Sequence, residues 1–243
     1  MGRPESLELL AKGGELLGLD LSPGDLALFD IYLGKLLEWN RVINLTSLGR
    51  EEDIIVKHFL DSLSCLLSGK IENGQEILDI GTGAGFPGIP IKIVKPGIKL
   101  TLLDSSKKKI DFLLQLTKAL GLEVKLVPLR SEEFARSDGR DLFDVVLARA
   151  VSTTPVLLEY ALPVLKEGGY LIAQKGPKIA EELDRAREAS VLLGGTIEEV
   201  KEVKVPFLPE RRFLVLARKV AETPAKYPRK AGIPAKRPLG MVK

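Results

Sequence analysis

The sequence predicts an α/β fold with a doubly wound, mostly parallel sheet of seven strands. From residue 76 onward, short apolar runs alternate with amphipathic stretches of helical period. The first four apolar runs carry large hydrophobic residues on both faces, as parallel strands do when helices cover them on both sides. We therefore predict a helical N-terminal extension over residues 1–70, an α/β domain over 71–218 and a basic, proline-containing tail over 219–243.

Two helices are predicted in the N-terminal extension. In residues 24–39, apolar side chains recur at helical spacing: Leu26, Phe29, Leu33, Leu36 and Leu37. Residues 51–67 begin with three acidic residues, which suit the positive end of a helix dipole. The apolar face of this second helix is expected to consist of Ile55, Phe59, Ser62, Leu63 and Leu66.

The remaining elements follow in alternation. Strands are predicted at 76–80, 99–103, 123–128, 143–148, 169–174, 197–205 and 211–217. Helices are predicted at 86–94, 107–120, 154–165 and 178–193. The last two strands are joined by residues 206–210, which are too few for a crossover helix, so these two strands must be antiparallel.

Composition excludes several classes of protein. The single cysteine, Cys65, rules out an intramolecular disulfide, and with a single histidine, His58, a zinc site is not expected. No apolar run approaches the about 18 residues of a membrane-spanning helix. The first 20 residues hold three glutamates and lack the basic and apolar parts of a secretory signal, so a cytoplasmic location is expected.

Charge is concentrated at the C-terminal end. Residues 217–243 hold eight basic residues and one acidic residue, whereas the rest of the chain has 28 basic and 32 acidic residues. A basic tail on a mildly acidic body indicates a polyanionic partner. The alternative interpretation is a solvated, disordered end.

The strongest motif is a glycine-rich turn after the first predicted strand. Residues 77–88 read ILDIGTGAGFPG and open a predicted helix. Gly81, Gly83 and Gly85 permit a sharp turn and a close approach of the backbone to a ligand. The spacing is G-x-G-x-G, with Phe86 where a dinucleotide fold has its third glycine, which disfavours NAD or FAD. No P-loop motif is present. A tight loop with no ligand is the alternative interpretation.

Three further groups follow the next predicted strands at the same sheet edge. Asp104 ends the second strand, where an acidic residue can accept hydrogen bonds from ribose hydroxyls or can cap the following helix. Residues 130–133 (RSEE) follow the third strand and Arg149 follows the fourth. Ligands of open α/β sheets bind outside the carboxyl ends of the strands, so these groups are expected to meet in one crevice.

These motifs together resemble the class I S-adenosylmethionine-dependent methyltransferases. More narrowly, the chain resembles the bacterial 16S ribosomal RNA guanine-N7 methyltransferases, a family also called glucose-inhibited division protein B. The resemblance runs from about residue 36 to 239. Its motifs are residues 39–46 (WNRVINLT), 57–63 (KHFLDSL), 79–90 (DIGTGAGFPGIP), 103–105 (LDS), 130–134 (RSEEF), 148–150 (ARA), 175–176 (KG) and 227–230 (YPRK). Ser131 stands where the family often has alanine.

The resemblance implies a Rossmann-like sheet, S-adenosylmethionine as cofactor and a guanine at position 527 of 16S rRNA, in the small ribosomal subunit, as target. The implied cofactor-binding residues are Gly81, Gly83, Gly85, Phe86, Asp104, Ser131, Glu132 and Arg149. The candidate RNA-contacting residues are Asn40, Arg41, Asn44, His58, Lys175, Arg229 and Lys230. No metal is implied, and a monomer without a membrane partner is expected.

No catalytic residue is assigned, because guanine N7 carries a free lone pair and no proton has to leave before it attacks. Three alternatives remain. The acceptor can be another RNA nucleotide or a protein, because such enzymes share the same crevice. A nicotinamide dehydrogenase is disfavoured by Phe86, and an RNA-binding relic is disfavoured by the intact glycines and Asp104.

Overall fold

One twisted sheet of seven strands forms the centre of this computed structural model, which describes residues 2–240. The strands are Glu76–Ile80 (β1), Lys99–Leu103 (β2), Val124–Val127 (β3), Phe143–Arg149 (β4), Leu165–Lys175 (β5), Gly195–Val203 (β6) and Arg212–Lys219 (β7). Their order in the sheet is β3-β2-β1-β4-β5-β7-β6. Strands β1 to β5 are parallel, and β7 is antiparallel to β5 and β6. The predicted fold class and the antiparallel hairpin are confirmed.

The helices cover both faces of the sheet. They are Arg3–Leu16 (α1), Pro23–Asn40 (α2), Glu51–Ile54 (α3), Asp61–Leu63 (α4), Gly88–Val94 (α5), Lys107–Leu120 (α6), Ser131–Arg136 (α7), Thr154–Ala161 (α8), Leu183–Leu192 (α9) and Ile233–Lys236 (α10). Because side chains alternate along each strand, neighbouring residues enter different cores. In β1, Ile77 packs with α1, α2, α5 and α6, whereas Leu78 packs with α7, α8 and α9.

Three predicted elements were wrong at their ends. The helix predicted over 154–165 ends at Ala161, since Pro163 cannot continue a helix. The strand predicted over 169–174 starts earlier, at Leu165. Leu165 pairs with Phe143 of β4, and the register of the two strands then shifts before Val145 pairs with Tyr170. The helix predicted over 178–193 divides into a 3₁₀-helix, Pro177–Glu181, and α9. Glu182 at the break accepts hydrogen bonds from the N–H and hydroxyl of Thr154.

The predicted helix over 51–67 is helical throughout but not regular. A π-helix, Ile55–Leu60, separates α3 from α4, and a 3₁₀-helix, Ser64–Ser68, follows. The side chains of Ile55, Phe59 and Leu63 are buried as predicted. The π-helix carries His58, and such wide turns occur frequently at functional sites.

The N-terminal helices share a core with the sheet. Helix α2 buries Phe29, Tyr32, Leu33 and Leu36 in the cluster that also contains Ile77 of β1. The predicted division at residue 70 therefore separates elements that pack on one another. It stays a prediction.

The basic tail lies against the sheet domain over the residues that the structure describes. Its first predicted residue, Lys219, is the last residue of β7 and is buried. Tyr227 is also buried, so the interpretation as a disordered end was wrong for residues up to Gly240. Lys243, one of the eight basic residues, lies outside the described residues.

Within residues 2–240, no helix is both long enough and apolar enough to cross a membrane. The same residues contain no group of three or more His, Cys, Asp or Glu side chains that could hold a metal ion.

Candidate active site

A crevice opens at the carboxyl ends of the central strands, where β1 lies between β2 and β4. Here the chain order of the sheet reverses, which is where open α/β sheets bind ligands. The crevice has a volume of about 320 Å³. Its lining consists of Gly81, Leu103, Asp104, Ser105, Lys109, Leu129, Arg130, Ser131, Glu132, Ala150, Val151 and Tyr160. The structure thus brings together four of the eight predicted cofactor-binding residues: Gly81, Asp104, Ser131 and Glu132.

The glycine turn after β1 forms the floor of the crevice. Gly81 has a φ of +64° and its N–H donates to the carbonyl of Leu103 over 2.8 Å. A Cβ at Gly81 would lie 2.8 Å from Val151 Cγ2. Only glycine fits here, because Val151 occupies the place of a side chain. Gly85 turns away from the crevice: a Cβ there would meet Ile89 and Tyr32, each at 2.8 Å.

Asp104 joins the glycine turn to the next helix. One carboxylate oxygen accepts from the N–H of Gly83 over 3.0 Å, and the other accepts from the N–H of Ser106 over 2.9 Å. Lys109 Nζ lies 3.4 Å away. The N-cap of α6 is Ser106, without a side-chain capping hydrogen bond, so Asp104 is not the N-cap that the sequence allowed. Asp104 lines the crevice, where its remaining lone pairs can accept hydrogen bonds from hydroxyls of a ligand.

Asp79, the fourth residue of β1, connects the two ends of the glycine turn through hydrogen bonds. Its Oδ2 accepts from the Thr82 hydroxyl (2.7 Å) and from the N–H of Gly88 (2.9 Å). Burial raises the pKa of this fully buried carboxyl to about 7, although both hydrogen bonds act in the opposite direction. Oδ1 is buried without a hydrogen-bond partner among the described residues. Asp79 thus acts as a turn residue.

Glu132 and Tyr160 close the far end of the crevice. Glu132, near the start of α7, is buried. Its Oε1 lies 3.4 Å from the Tyr160 hydroxyl on α8. Burial and this carboxylate raise the pKa of Tyr160 to about 12, so the phenol stays protonated and donates to Glu132.

Phe86 and Arg149 lie outside the lining of this crevice. Phe86 is buried between two N-terminal side chains, stacked on Tyr32 at 5.3 Å and on His58 at 4.6 Å between ring centroids. The guanidinium of Arg149 lies 4.9 Å from the centre of the Phe86 ring. These residues support the crevice wall from the N-terminal side.

A second crevice, of about 500 Å³, adjoins the first at Ala150. Its lining consists of Lys57, His58, Asp61, Arg149, Ala150, Ser152, Gln174, Lys175, Gly176, Glu182 and Arg212. The buried carboxylate of Asp61 pairs with Arg149 and with Arg212, each at 3.1 Å. Ala150 has a φ of +56°, a strained conformation for a residue with a side chain, and such strain clusters at functional sites.

His58 is held neutral inside this second crevice. Burial, followed by the charge of Arg149, lowers its pKa to about 3. Its Nδ1 lies 3.1 Å from Arg149 Nη2 and 3.0 Å from the Lys57 carbonyl oxygen, and its Nε2 lies 2.7 Å from the Thr46 hydroxyl.

The other candidate RNA-contacting residues differ in accessibility. Asn40 caps its own loop, with its side-chain oxygen accepting from the N–H groups of Leu45 and Thr46. Arg41, Asn44 and Lys230 are exposed. Lys175 lines the second crevice and pairs with Glu182 at 3.0 Å.

Arg229 pairs with the buried Glu159 at 2.6 Å. Its charge is therefore paired within the protein, and its role as an RNA contact stays a prediction. The sequence analysis left open a solvated, disordered end for this tail. In the structure the tail returns from β7 to α8, where Arg229 contacts Glu159.

Several lining residues were missed by the sequence analysis. Ser105, Ala150 and Val151 directly follow predicted strand ends, so the sheet-edge rule that selected Asp104 and Arg149 would have found them. Tyr160 lies in the last turn of α8 and reaches the crevice only through tertiary packing. No local sequence signal marks it.

Comparisons with known proteins agree with this geometry. The family model described as "GidB: rRNA small subunit methyltransferase G" matches residues 25–214. Ribosomal RNA small subunit methyltransferase G of Alkaliphilus metalliredigens is 44% identical over 237 residues, covering 97% of this chain and 99% of that relative. The protein of the same name from Thermoanaerobacter pseudethanolicus is 45% identical over 237 residues, with the same coverage of both chains.

Solved structures with low sequence identity share the fold of this chain. M. jannaschii TYW2 in complex with AdoMet matches with a TM-score of 0.53 at 16% identity, over 66% of this chain and 77% of that chain. The [4+2]-cyclase SpnF matches with a TM-score of 0.51 at 16% identity, over 66% and 81%. One fold thus serves different chemistries, and function has to come from the site and the family.

The sheet order and the glycine-floored crevice define a class I methyltransferase, a class whose cofactor is S-adenosylmethionine. Within that class, the match over 190 residues and the full-length relatives decide the family. The chain belongs to the rRNA small subunit methyltransferase G family.

Proposed function

We propose that this chain transfers the methyl group of S-adenosylmethionine to N7 of guanine 527 in 16S rRNA. The observation that carries the proposal is the junction of two crevices at Ala150 in a chain of this family. One crevice has the groups that suit a nucleoside cofactor, and the other has the charges that suit a nucleotide of RNA.

The first crevice fits the cofactor by the chemistry of its lining. Asp104 offers acceptors for ribose hydroxyls, Glu132 offers an acceptor for an exocyclic amine, and Gly81 presents backbone without a side chain at the floor. When bound, the cofactor supplies an electrophilic methyl group on a sulfonium. The residues of the chain bind and orient it.

The second crevice suits the target base. Four cations (Lys57, Arg149, Lys175 and Arg212) and two carboxylates (Asp61 and Glu182) line it. Each cation pairs with a carboxylate, but the lining keeps an excess of positive charge, which suits RNA phosphates. A base that enters from this side reaches the shared wall at Ala150. Because guanine in a single-stranded loop already exposes its edges, little unstacking is required.

The chemical step needs no general base from the protein. Guanine N7 is unprotonated at neutral pH, and rate comes from holding it in line with the methyl group. The lowered pKa of His58, about 3, keeps that ring neutral over the working range. We expect single-turnover methyl transfer with saturating RNA and cofactor to be independent of pH between about 6.5 and 8.5. Asp79, with a pKa of about 7, ionises in this range, so the Asp79→Asn variant is measured beside the wild type. A rate that follows one titration in both proteins would contradict a mechanism without a general base.

As an enzyme of ribosomal RNA, the protein is further proposed to act in the cytoplasm as a monomer. Sedimentation equilibrium at micromolar concentration tests the oligomeric state, and a stable dimer would contradict that part of the proposal.

The central test uses methyl-labelled S-adenosylmethionine and unmodified small-subunit RNA, both free and within the assembled subunit. The labelled site is mapped by the strand scission that 7-methylguanine permits. Label at the single guanine 527 is expected. Label at another nucleotide would retain the cofactor and refute the target, whereas label on a ribosomal protein would refute RNA as the substrate.

A further inference from the structure

The C-terminal segment 223–237, here called the strap, crosses the outer side of α7 and α8. Its backbone is tied down by arginines from the sheet domain. Arg136 Nε donates to the carbonyl of Pro228 over 2.8 Å, and Arg140 donates to the carbonyls of Tyr227 (3.0 Å) and Thr223. The Thr223 hydroxyl donates to the carbonyl of Leu193 over 2.7 Å. The strap is therefore a fixed part of the structure.

A buried ion pair anchors the middle of the strap. Glu159, on α8, has no exposed surface, and both of its oxygens accept from the Arg229 guanidinium at 2.6–3.2 Å. Its Oε1 also accepts from the backbone N–H of Arg229 at 2.8 Å. A two-pronged pair of this kind fixes orientation as well as position.

Three residues further on, the strap reaches the cofactor crevice. The N–H of Gly232 donates to Glu132 Oε1 over 2.8 Å, on the same oxygen that the Tyr160 hydroxyl approaches. Gly232 has a φ of +79°, which turns the chain at the start of α10 so that this N–H points at Glu132. Since both hydrogen bonds end on Oε1, Oε2 is the oxygen left to a ligand in the crevice.

We propose that the strap positions Glu132 for the adenine of the cofactor. Arg229 sets the course of the strap, and the Gly232 N–H holds Glu132 so that Oε2 accepts a hydrogen bond from the adenine 6-amino group. This inference rests on the proposed cofactor site. It makes Gly232 and Arg229 positioning residues for cofactor binding, although neither belongs to the α/β domain predicted from sequence.

The test is a chain that ends at Lys230, which retains the Arg229–Glu159 pair and removes Gly232. Calorimetry measures the Kd of S-adenosylhomocysteine and of S-inosylhomocysteine, which has a carbonyl in place of the 6-amino group. We expect the truncation to weaken adenosyl binding about tenfold and inosyl binding less than threefold. General loosening of the crevice would weaken both ligands equally, and that outcome would overturn the proposal.

A double-mutant cycle with Glu132→Gln isolates the coupling. If the strap acts through Glu132, the truncation should change adenosyl binding less than twofold in the Glu132→Gln background. Undiminished loss there would overturn the proposal. If the truncated chain fails to fold, Gly232→Ala replaces it as the test variant. No heavy atom lies within 4 Å of the added Cβ, so the substitution perturbs only the backbone turn. Its adenosyl selectivity should also fall.

The matched control removes tail charge without touching the contact. Lys236→Ala with Arg237→Ala leaves Gly232 in place, and both side chains are exposed. Adenosyl Kd should stay within twofold of wild type. If the full-length protein binds neither ligand, the proposed function itself fails. If it binds both and the truncation changes neither Kd, only the strap proposal fails.

Discussion

At the scale of single residues, Gly83 tests whether the turn after β1 holds the cofactor. Its φ is +61°, and its N–H donates to Asp104. Gly83→Val places a β-branched residue in that conformation at a cost of about 1–3 kcal/mol, without a clash, because the nearest atom to the new Cβ lies at 3.9 Å. We expect cofactor binding to fall at least 100-fold in calorimetry while circular dichroism shows a folded protein.

Gly121→Val is the matched control for that substitution. Gly121 follows α6 with a φ of +63° and open space around its Cβ, but its N–H donates to the carbonyl of Lys118, whereas that of Gly83 donates to Asp104 of the crevice lining. It should lose similar stability and retain the wild-type Kd. Equal loss of binding in both variants would show that strain, rather than position, explains the effect.

Asp79 should lower the free energy of unfolding as the pH rises, which is the opposite of the usual effect of a carboxylate. Its ordinary pKa is 3.8, and burial raises the pKa to about 7 in the folded chain. The folded state therefore holds this proton more tightly, and its contribution to the free energy of unfolding falls as pH rises from about 4 to about 7. Asp79→Asn cannot ionise, so its stability relative to wild type should improve over that window by a few kcal/mol, at about 1.4 kcal/mol per pKa unit.

Urea unfolding at pH 4.5, 6 and 8 measures this difference. His58 acts in the opposite direction, because its lowered pKa removes stability as pH falls below about 6.5. It is present in both proteins and cancels in the comparison. The exposed Asp138→Asn serves as a control that should show a constant difference. A constant difference for Asp79→Asn would contradict the raised pKa.

The predicted cofactor-binding residues that line the crevice share one property. Gly81, Asp104, Ser131 and Glu132 follow strands directly, so the order of elements along the chain already assigns them to one sheet edge. Tyr160 and Gly232 reach the same crevice from a helix and from the tail. Their placement depends on how α8 and the strap pack, which no local spacing encodes.

At the scale of elements, α2 is the helix that joins the N-terminal region to the rest of the protein. Its Tyr32 hydroxyl donates to the carbonyl of Ala84 in the glycine turn over 2.6 Å, and Trp39 packs edge-on against Phe112 of α6. Leu33→Ala removes a fully buried side chain and should cost 2–5 kcal/mol of unfolding free energy. Leu16→Ala, at a leucine that is 63% exposed, should cost less than about 0.5 kcal/mol.

The same helix tests the division predicted at residue 70. Trp39 is the only tryptophan, so its fluorescence reports on α2, whereas far-ultraviolet circular dichroism reports on all helices and strands. If the N-terminal helices share one cooperative core with the sheet, both probes should give the same urea midpoint. Two separated transitions would show an independently unfolding extension.

Helices and strands whose ends are marked by neighbouring polar residues or glycines were predicted well. Strands β1 and β2 and helix α6 have the predicted bounds, because polar residues or glycines stop each apolar run. Strand β5 was predicted to start at Gly169, four residues late. Residues 166–168 (KEG) are polar or glycine and do not resemble a strand, but pairing of Leu165 with β4 extends the strand through them. The π-helix at Ile55–Leu60 had no sequence signal.

At the scale of the whole molecule, the question is which cations bind RNA. The tail carries most of the excess positive charge, but Lys219 is buried beside Asp141 and Arg229 is neutralised by Glu159. Lys230, Lys236 and Arg237 are exposed. Lys226 is exposed as well, but its Nζ lies over the Tyr227 ring. Among the described residues, Lys230, Lys236 and Arg237 are therefore the exposed tail cations left for phosphates.

Replacing these three residues by glutamine should therefore weaken RNA binding without changing cofactor Kd. Each phosphate contact to single-stranded RNA contributes about 0.7 to the slope of log K against log salt concentration, so the slope should fall by about two. Filter binding between about 50 and 300 mM salt measures it. The control variant replaces Lys12, Lys118 and Lys125, exposed cations outside the strap that line neither crevice, with the same change in net charge. If both triple variants lose the same slope, net charge alone governs binding and the tail is not an RNA contact; if only the tail variant loses it, the polyanion partner indicated by the tail composition lies along the strap.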